Sequence, residues 1–308
     1  MSIKLLTQKS FFIEPKAPYN FEKTVYKPSH FSEPDVSYVE GIHRQSYVFE
    51  GTYYGIKMRS IGTIDNPKID VTIYSENLTT DITYLNILDN LKFRFDMESD
   101  ISPLANNLSD LVKWKGARIG THVSLYEYLV IAVVLQNATV QRSVQMISNL
   151  FTELGKIIYF DNTEFFAFWE PMALYNLGEE RLRELKMGYR AKMLICQAND
   201  FMAGKIDEKL WRSMSNEELE KNLLNIYGVG PASVGYLMNE VFKRYNYFKY
   251  ISPWEQKIFS RLVFDSECEK IEKIIQYFID KYNNLCFLAA HYIFEESFWN
   301  ETENNNKD

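Results

Sequence analysis

Cysteine is scarce in this chain of 308 residues, and Cys196, Cys268 and Cys286 lie too far apart for any CxxC spacing. A four-cysteine iron–sulfur cluster is therefore excluded, and the three read as buried free thiols of a reducing compartment. No apolar stretch reaches the eighteen or so residues of a membrane-crossing helix, and the opening MSIKLLTQKSFF has no apolar run of signal length. The expectation is a soluble intracellular protein, of cytoplasm, nucleoid or nucleus, with no membrane partner. Positive charge is also in deficit: 34 Lys and Arg against 41 Asp and Glu leave a net charge of −7 and a pI near 5.4. Binding to nucleic acid is driven largely by phosphate neutralisation, so such a partner would have to meet positive charge gathered on one face.

What is present fits a globular protein: 46% hydrophobic and 24% charged residues, over a length that suits one or two domains. Aromatics reach 15%, with 21 Tyr and 21 Phe. They can stack on bases, but filling a core is the commoner use.

Residues 1–35 hold Pro15, Pro18, Pro28 and Pro34 among scattered aromatics and read as an irregular or edge-strand lead-in. From 36 to 74 the segments VSYVEGI, SYVFEG, YYGIKMRSI and IDVTIY alternate in polarity, with turns at Gly51, Gly55 and Gly62, and predict a small antiparallel sheet. Helical periodicity starts near Thr80 and dominates after Ser124. Ser124 and Glu127 make a capping box for SLYEYLVIAVVLQ, apolar enough to be a central core helix. Val140, Val144, Ile147, Phe151 and Leu154 continue the pattern, and Gly155 closes that helix. Residues 164–175, 179–185 and 190–201 predict further helices. Ser215 and Glu218 cap another, and two more should cover 268–282 and 285–299 before a disordered tail. The expected division is a sheet domain over 1–110, a helical core over 111–300 and the tail over 301–308.

The most informative stretch is 223–261, beginning LLNIYGVGPASVGYLMNEVF and ending YISPWEQKIFSR. Gly228 and Gly230 permit a hairpin between two helices, and Pro231 suits the first turn of the second. Such a hairpin turns unpaired backbone N–H groups outward, an arrangement able to bind phosphate without side chains. A lone GVG fits any helical turn, but three other stretches stand in a suggestive order: LQNATVQRS (135–143), LKMGYRAKML (185–194) and LAAHYIFEESFW near the C-terminus.

Together these resemble the helix-hairpin-helix DNA glycosylases, most closely the 8-oxoguanine and 3-methyladenine types, over roughly residues 36–299. The resemblance implies an α+β fold with a small N-terminal antiparallel sheet and a mainly helical core. It implies a duplex DNA partner carrying a damaged base, expected to be a purine, and a monomeric protein. Asn137 and Arg142 match the pair that reads the base opposite the lesion. Tyr189 and Arg190 match the wedge tyrosine and the arginine of the GYRA stretch. Gly228, Gly230 and Ala232 fall at the hairpin, whose carbonyls in the family often hold a monovalent cation; no other cofactor or metal is implied. His291, Phe294 and Phe298 could wall the lesion pocket, although core packing is the commoner role for each.

The chain departs from the family at its chemistry. The family's lysine nucleophile is matched by Ala232, and neither Lys249 nor Lys257 occupies that position. The family's aspartate, which stabilises an oxocarbenium-like transition state, is matched by Ser252, neutral near pH 7. Ser252, Pro253 and Glu255 form a strong helix-start signal, so serine keeps the cap and loses the charge. Glu255 is the nearest carboxylate, either as the cap's partner or as a displaced catalytic group. Two functions follow from the resemblance: a monofunctional glycosylase that works without lysine, or a damage-binding protein that kept the scaffold and lost the chemistry.

Overall fold

The computed structural model describes residues 2–30, 33–105 and 112–305. Strands β1 (Ile3–Lys4) and β2 (Thr7–Ile13) and a single-turn helix α1 (Phe21–Val25) form the lead-in. The larger sheet adds β3 (Val36–Val39), β4 (Ile42–Phe49), β5 (Thr52–Ser60) and β6 (Ile69–Ser75), in the antiparallel order β2-β6-β5-β4-β3. Period-two alternation turns Ile69, Val71 and Ile73 of β6 to one face, with Ile56 and Met58 of β5 beside them. Helix α2 (Asp81–Arg94), capped by Thr80, lays Tyr84, Ile87, Leu88 and Leu91 over that face at three- and four-residue spacing.

The short helix α3 (Ser102–Ala105) leads to the core helices α4 (Leu125–Leu135) and α5 (Val140–Leu154). Then a hairpin of β7 (Lys156–Phe160) and β8 (Thr163–Ala167) joins β1 in a second sheet, with β1 parallel to β7. This corrects the helix expected over 164–175, whose first residues are strand. Asp161 and Asn162 both take positive φ, 45° and 62°, so the chain reverses tightly between KIIYF and TEFFA. The ring of Phe160 lies where a side chain of Gly55 would stand, 2.3 Å from its Cβ position, so glycine in β5 lets the small sheet dock on the large one. Asp161 at the hairpin tip accepts from Arg44 (2.6 Å), Lys57 (2.7 Å) and Tyr74 (3.0 Å).

Helices α6 (Pro171–Glu184), broken at Gly178 with φ 81°, and α7 (Arg190–Met202) follow. Next come α8 (Glu208–Trp211), α9 (Asn216–Leu224) and α10 (Pro231–Tyr236), which runs into a π-type turn over Leu237–Val241. The chain closes with α11 (Pro253–Phe264), α12 (Ile271–Tyr282) and α13 (Cys286–Asn305). Helix α4 is the axis of this half: Tyr126, Val130, Val133 and Val134 pack towards α5 and α7, while Leu125 and Leu129 pack towards α9 and α10. The capping boxes at Ser124, Ser215 and Ser252 all form. Helix α13 extends to Asn305, and residues 306–308 of the expected tail lie outside the described residues. Among the cysteines only Cys286 is buried; Cys268 is exposed and Cys196 half-buried, which corrects the expectation of three buried thiols.

Candidate functional site

The loop between α9 and α10 is held by glycine geometry. Gly228 has φ +89°, and a Cβ there would also stand 2.9 Å from the sulfur of Met193. Gly230, by contrast, has nothing within 4 Å of its Cβ position and an extended backbone at φ −109°. Gly230 is the N-cap of α10, and no side chain caps the first amides of that helix. Ala232, the second residue of α10, is half-buried.

Two glutamines fix the loop from behind: Gln136 Nε2 donates to Gly228 O (2.8 Å) and Gln197 Nε2 to Tyr227 O (3.0 Å). Val229 N–H donates to Ile226 O and Val234 N–H to Gly230 O. A monovalent cation at this hairpin would have to share these four oxygens with protein donors.

Gln136 also connects the hairpin to the corner between α4 and α5. There Asn137 takes the left-handed conformation at φ 48°, which its short amide side chain tolerates well. Its Nδ2 donates to the phenol oxygen of Tyr189 (3.4 Å), which in turn donates to Gln136 O (3.4 Å). Tyr189 is 47% exposed. Arg142 is exposed and donates to Lys186 O at 3.4 Å. Arg190 is placed differently. It is buried, its guanidinium lies 4.7 Å from the Tyr189 ring, and it donates to Val133 O (3.2 Å) and to Gln136 O. Arg190 thereby adds a second donor at the end of α4, to Val133 O, which also takes the Gln136 N–H, and to Gln136 O, which also takes the Tyr189 hydroxyl. Gln136 thus joins Gly228 of the hairpin to the Asn137–Tyr189 corner, with Arg190 buried against its carbonyl.

The second part of the site lies where α10 meets α11. Ser252, the N-cap of α11, is buried, and both its N–H (2.8 Å) and its hydroxyl donate to Glu255 Oε2. Tyr236 on α10 donates to the same oxygen at 3.1 Å. Burial raises the Glu255 carboxyl above its ordinary value, against the pull of the Ser252 and Tyr236 hydrogen bonds, and Glu240 nearby pushes it the same way. Glu255 is thus the cap partner of Ser252 and also the carboxylate beside the hairpin helix.

A buried polar layer extends from here towards α13. Tyr128 donates to Glu240 Oε2 at 2.8 Å, and Lys243 donates to Ile119 O at 2.6 Å. Burial brings the Lys243 ammonium down to about 7, even with Asp96 and Glu240 opposing it. His291 Nε2 lies 2.8 Å from Lys27 Nζ, and burial holds the imidazole well below its usual range, so it accepts from the ammonium. Phe294 and Phe298 face Trp254 of α11 at 4.9 and 6.2 Å between ring centres.

Gln136, Gln197, Tyr236 and Lys27 have no place among the residues picked out from the sequence. Each acts on a partner 19 to 264 positions away, so no local spacing marks it.

No protein-family model and no curated protein matches the sequence. Solved structures do match the fold. A 3-methyladenine DNA glycosylase from Archaeoglobus fulgidus superposes with a TM-score of 0.75 at 17% identity, over 94% of this chain and 99% of that one. The apo 8-oxoguanine glycosylase/lyase of Clostridium acetobutylicum gives 0.67 at 19% identity, over 96% and 99%. The same Clostridium enzyme in complex with double-stranded DNA containing cytosine opposite 8-oxoguanine gives 0.67 at 18% identity, over 94% and 98%. The fold of this chain is that of these DNA glycosylase structures.

Proposed function

We propose that this chain is a DNA repair glycosylase that binds duplex DNA, turns out a damaged purine and hydrolyses its N-glycosidic bond without a lysine nucleophile. The observation that carries this reading is the clasp of Gln136 on Gly228, which sets the Asn137–Tyr189 corner beside the hairpin. In that arrangement the hairpin amides hold a phosphate, Tyr189 fills the gap left by the extruded base, and Asn137 and Arg142 face its orphaned partner. Arg190 acts as the positioning group that holds Tyr189 and Gln136. Exposed Arg142, Lys192, Lys257 and Arg261 supply positive charge that the chain as a whole lacks.

Ala232 cannot attack C1′, so water must, and the C1′–N bond breaks with the base as leaving group. Glu255 is the carboxylate assigned to the developing oxocarbenium charge and to the attacking water. Single-turnover excision across oligonucleotides bearing different lesions tests the reading. Base release that survives in wild type but falls by about 100-fold or more in Glu255→Gln, with no borohydride-trapped adduct, supports it.

One observation favours a second reading, a damage-binding protein without chemistry: Glu255 Oε2 already takes three donors as a cap and Ser252 is neutral. Lesion-selective binding with no release on any substrate would select it.

A further inference from the structure

Away from the hairpin, Glu33 and Asp35 of the lead-in converge on His122, just ahead of α4. His122 Nε2 lies 2.8 Å from Glu33 Oε2 and 3.8 Å from Asp35 Oδ2, and one donor atom from each residue falls within 4.8 Å of the other two. Ligands around an ion with bonds of about 2.0–2.2 Å stand roughly 3.0–3.5 Å apart, so the three atoms need only small shifts to share one ion. We propose that Glu33, Asp35 and His122 form a binding site for a divalent transition-metal ion, Zn2+ in the first instance, which clips the lead-in segment to the start of α4.

Two features separate this trio from an ordinary buried ion pair. First, Glu33 Oε2 sits 2.8 Å from His122 Nε2 as an ion-pair contact, off the direction that an aligned ring N–H would take. An oxygen close to a ring nitrogen but off its axis is what two ligands of a common ion present. Second, Asp35 is only 5% exposed, and its Oδ1 has no partner among the described residues. A buried carboxylate oxygen left without a donor is costly, and a cation in the trio removes that cost.

Charge leads the same way. An imidazolium between two carboxylates leaves a net −1 in a buried place, whereas a divalent ion with a neutral imidazole leaves zero. Glu127, one turn into α4, adds to the negative side but is engaged as the partner of the Ser124 cap. The donor set of one nitrogen and two oxygens suits zinc, and there is no thiolate among the three. The backbones on both sides are already fixed: Ser46 N–H donates to Asp35 O (2.8 Å) and Arg94 Nη1 to His122 O (2.7 Å). The ligands thus come from the sheet's lead-in and from the helical half.

The test uses the untagged full chain stripped with EDTA, with Zn2+ itself as the probe in equilibrium dialysis and thermal melting. One tightly bound Zn2+ per chain is expected, with a melting temperature that rises with Zn2+. Asp35→Asn and His122→Ala should weaken binding by about 100-fold or more, and Cys268→Ser, which removes the exposed thiol, should leave it unchanged. X-ray absorption on the wild type should show nitrogen and oxygen neighbours only, which reads the site even if a variant fails to fold. Absence of stoichiometric binding, binding unchanged in folded Asp35→Asn, or sulfur in the first shell would each overturn the proposal.

Discussion

Tyr236 and Glu255 meet between α10 and α11, the phenol donating to carboxylate Oε2 across 3.1 Å, on the oxygen that also takes the Ser252 N–H. The contact couples the helix that follows the glycine hairpin to the capped start of α11. If Glu255 works as an anion, the acid limb of the single-turnover rate follows its titration. Burial already raises that carboxyl above its ordinary value, so the limb should lie on the neutral side of an exposed glutamate. Tyr236→Phe removes a donor that favours the ionised form, and the limb should move to higher pH. A profile identical to wild type would dissociate Glu255 from the chemistry.

The two glycines of the hairpin make different demands. Gly228→Ala meets both a left-handed backbone and the Met193 sulfur, and should destabilise the fold by about 1–2 kcal/mol. Gly230→Ala enters open space with an ordinary φ, so its melting temperature should match wild type. Its methyl projects from the surface assigned to phosphate, so DNA affinity should fall. Titration of a fluorescent duplex alongside thermal melts separates the effects; equal affinity in Gly230→Ala would remove the hairpin from the DNA interface.

The corner residues divide along burial. Asn137→Ala and Tyr189→Ala touch exposed groups and should leave stability within about 0.5 kcal/mol while weakening binding to lesion DNA. Arg190→Ala removes one of the two donors from each of Val133 O and Gln136 O, together with a buried side chain, and should cost about 1–3 kcal/mol of stability. Denaturant melts and binding isotherms on the same variants decide the assignment. An Arg190→Ala protein as stable as wild type that fails only to bind would make Arg190 a direct DNA contact.

These residues also show how far the sequence could be read. Ser124 with Glu127, Ser215 with Glu218 and Ser252 with Glu255 are legible because a capping box is written in four consecutive positions. The strands of the larger sheet are legible because alternation persists for several residues in each. Residues 156–167 are not, because KIIYF and TEFFA are short and apolar, and density of apolar side chains alone cannot separate helix from strand. The Asp161–Asn162 reversal was the available signal, and it outweighs the helical reading once both φ angles are positive. The site was legible as a set of candidate residues but not as a set of relationships. That Arg190 turns inward while Tyr189 faces out depends on the carbonyls of α4, more than fifty residues earlier.

Asp161 is held by Lys57, Arg44 and Tyr74, and it docks β7 and β8 on the outer face of the larger sheet. Burial on its own would raise the carboxyl, but the hydrogen bonds from Lys57, Arg44 and Tyr74 outweigh it and hold the group below its usual value. A carboxyl depressed in the folded state adds stability that is fully present above its unfolded value, about 3.9, and is lost as pH falls through the folded value. Asp161→Asn keeps the left-handed turn conformation, which asparagine accepts as readily, and deletes only the charge. The variant should therefore be less stable than wild type by about 1–3 kcal/mol at pH 7, since two partly buried cations lose their counter-charge. Urea melts at pH 7 and near pH 3 check the sign: the gap between the two proteins should shrink at the lower pH as wild-type Asp161 takes up its proton. A gap of the same size at both pH values would mean that the ion pairs do not stabilise the hairpin and that the packing of Phe160 against Gly55 carries the docking alone.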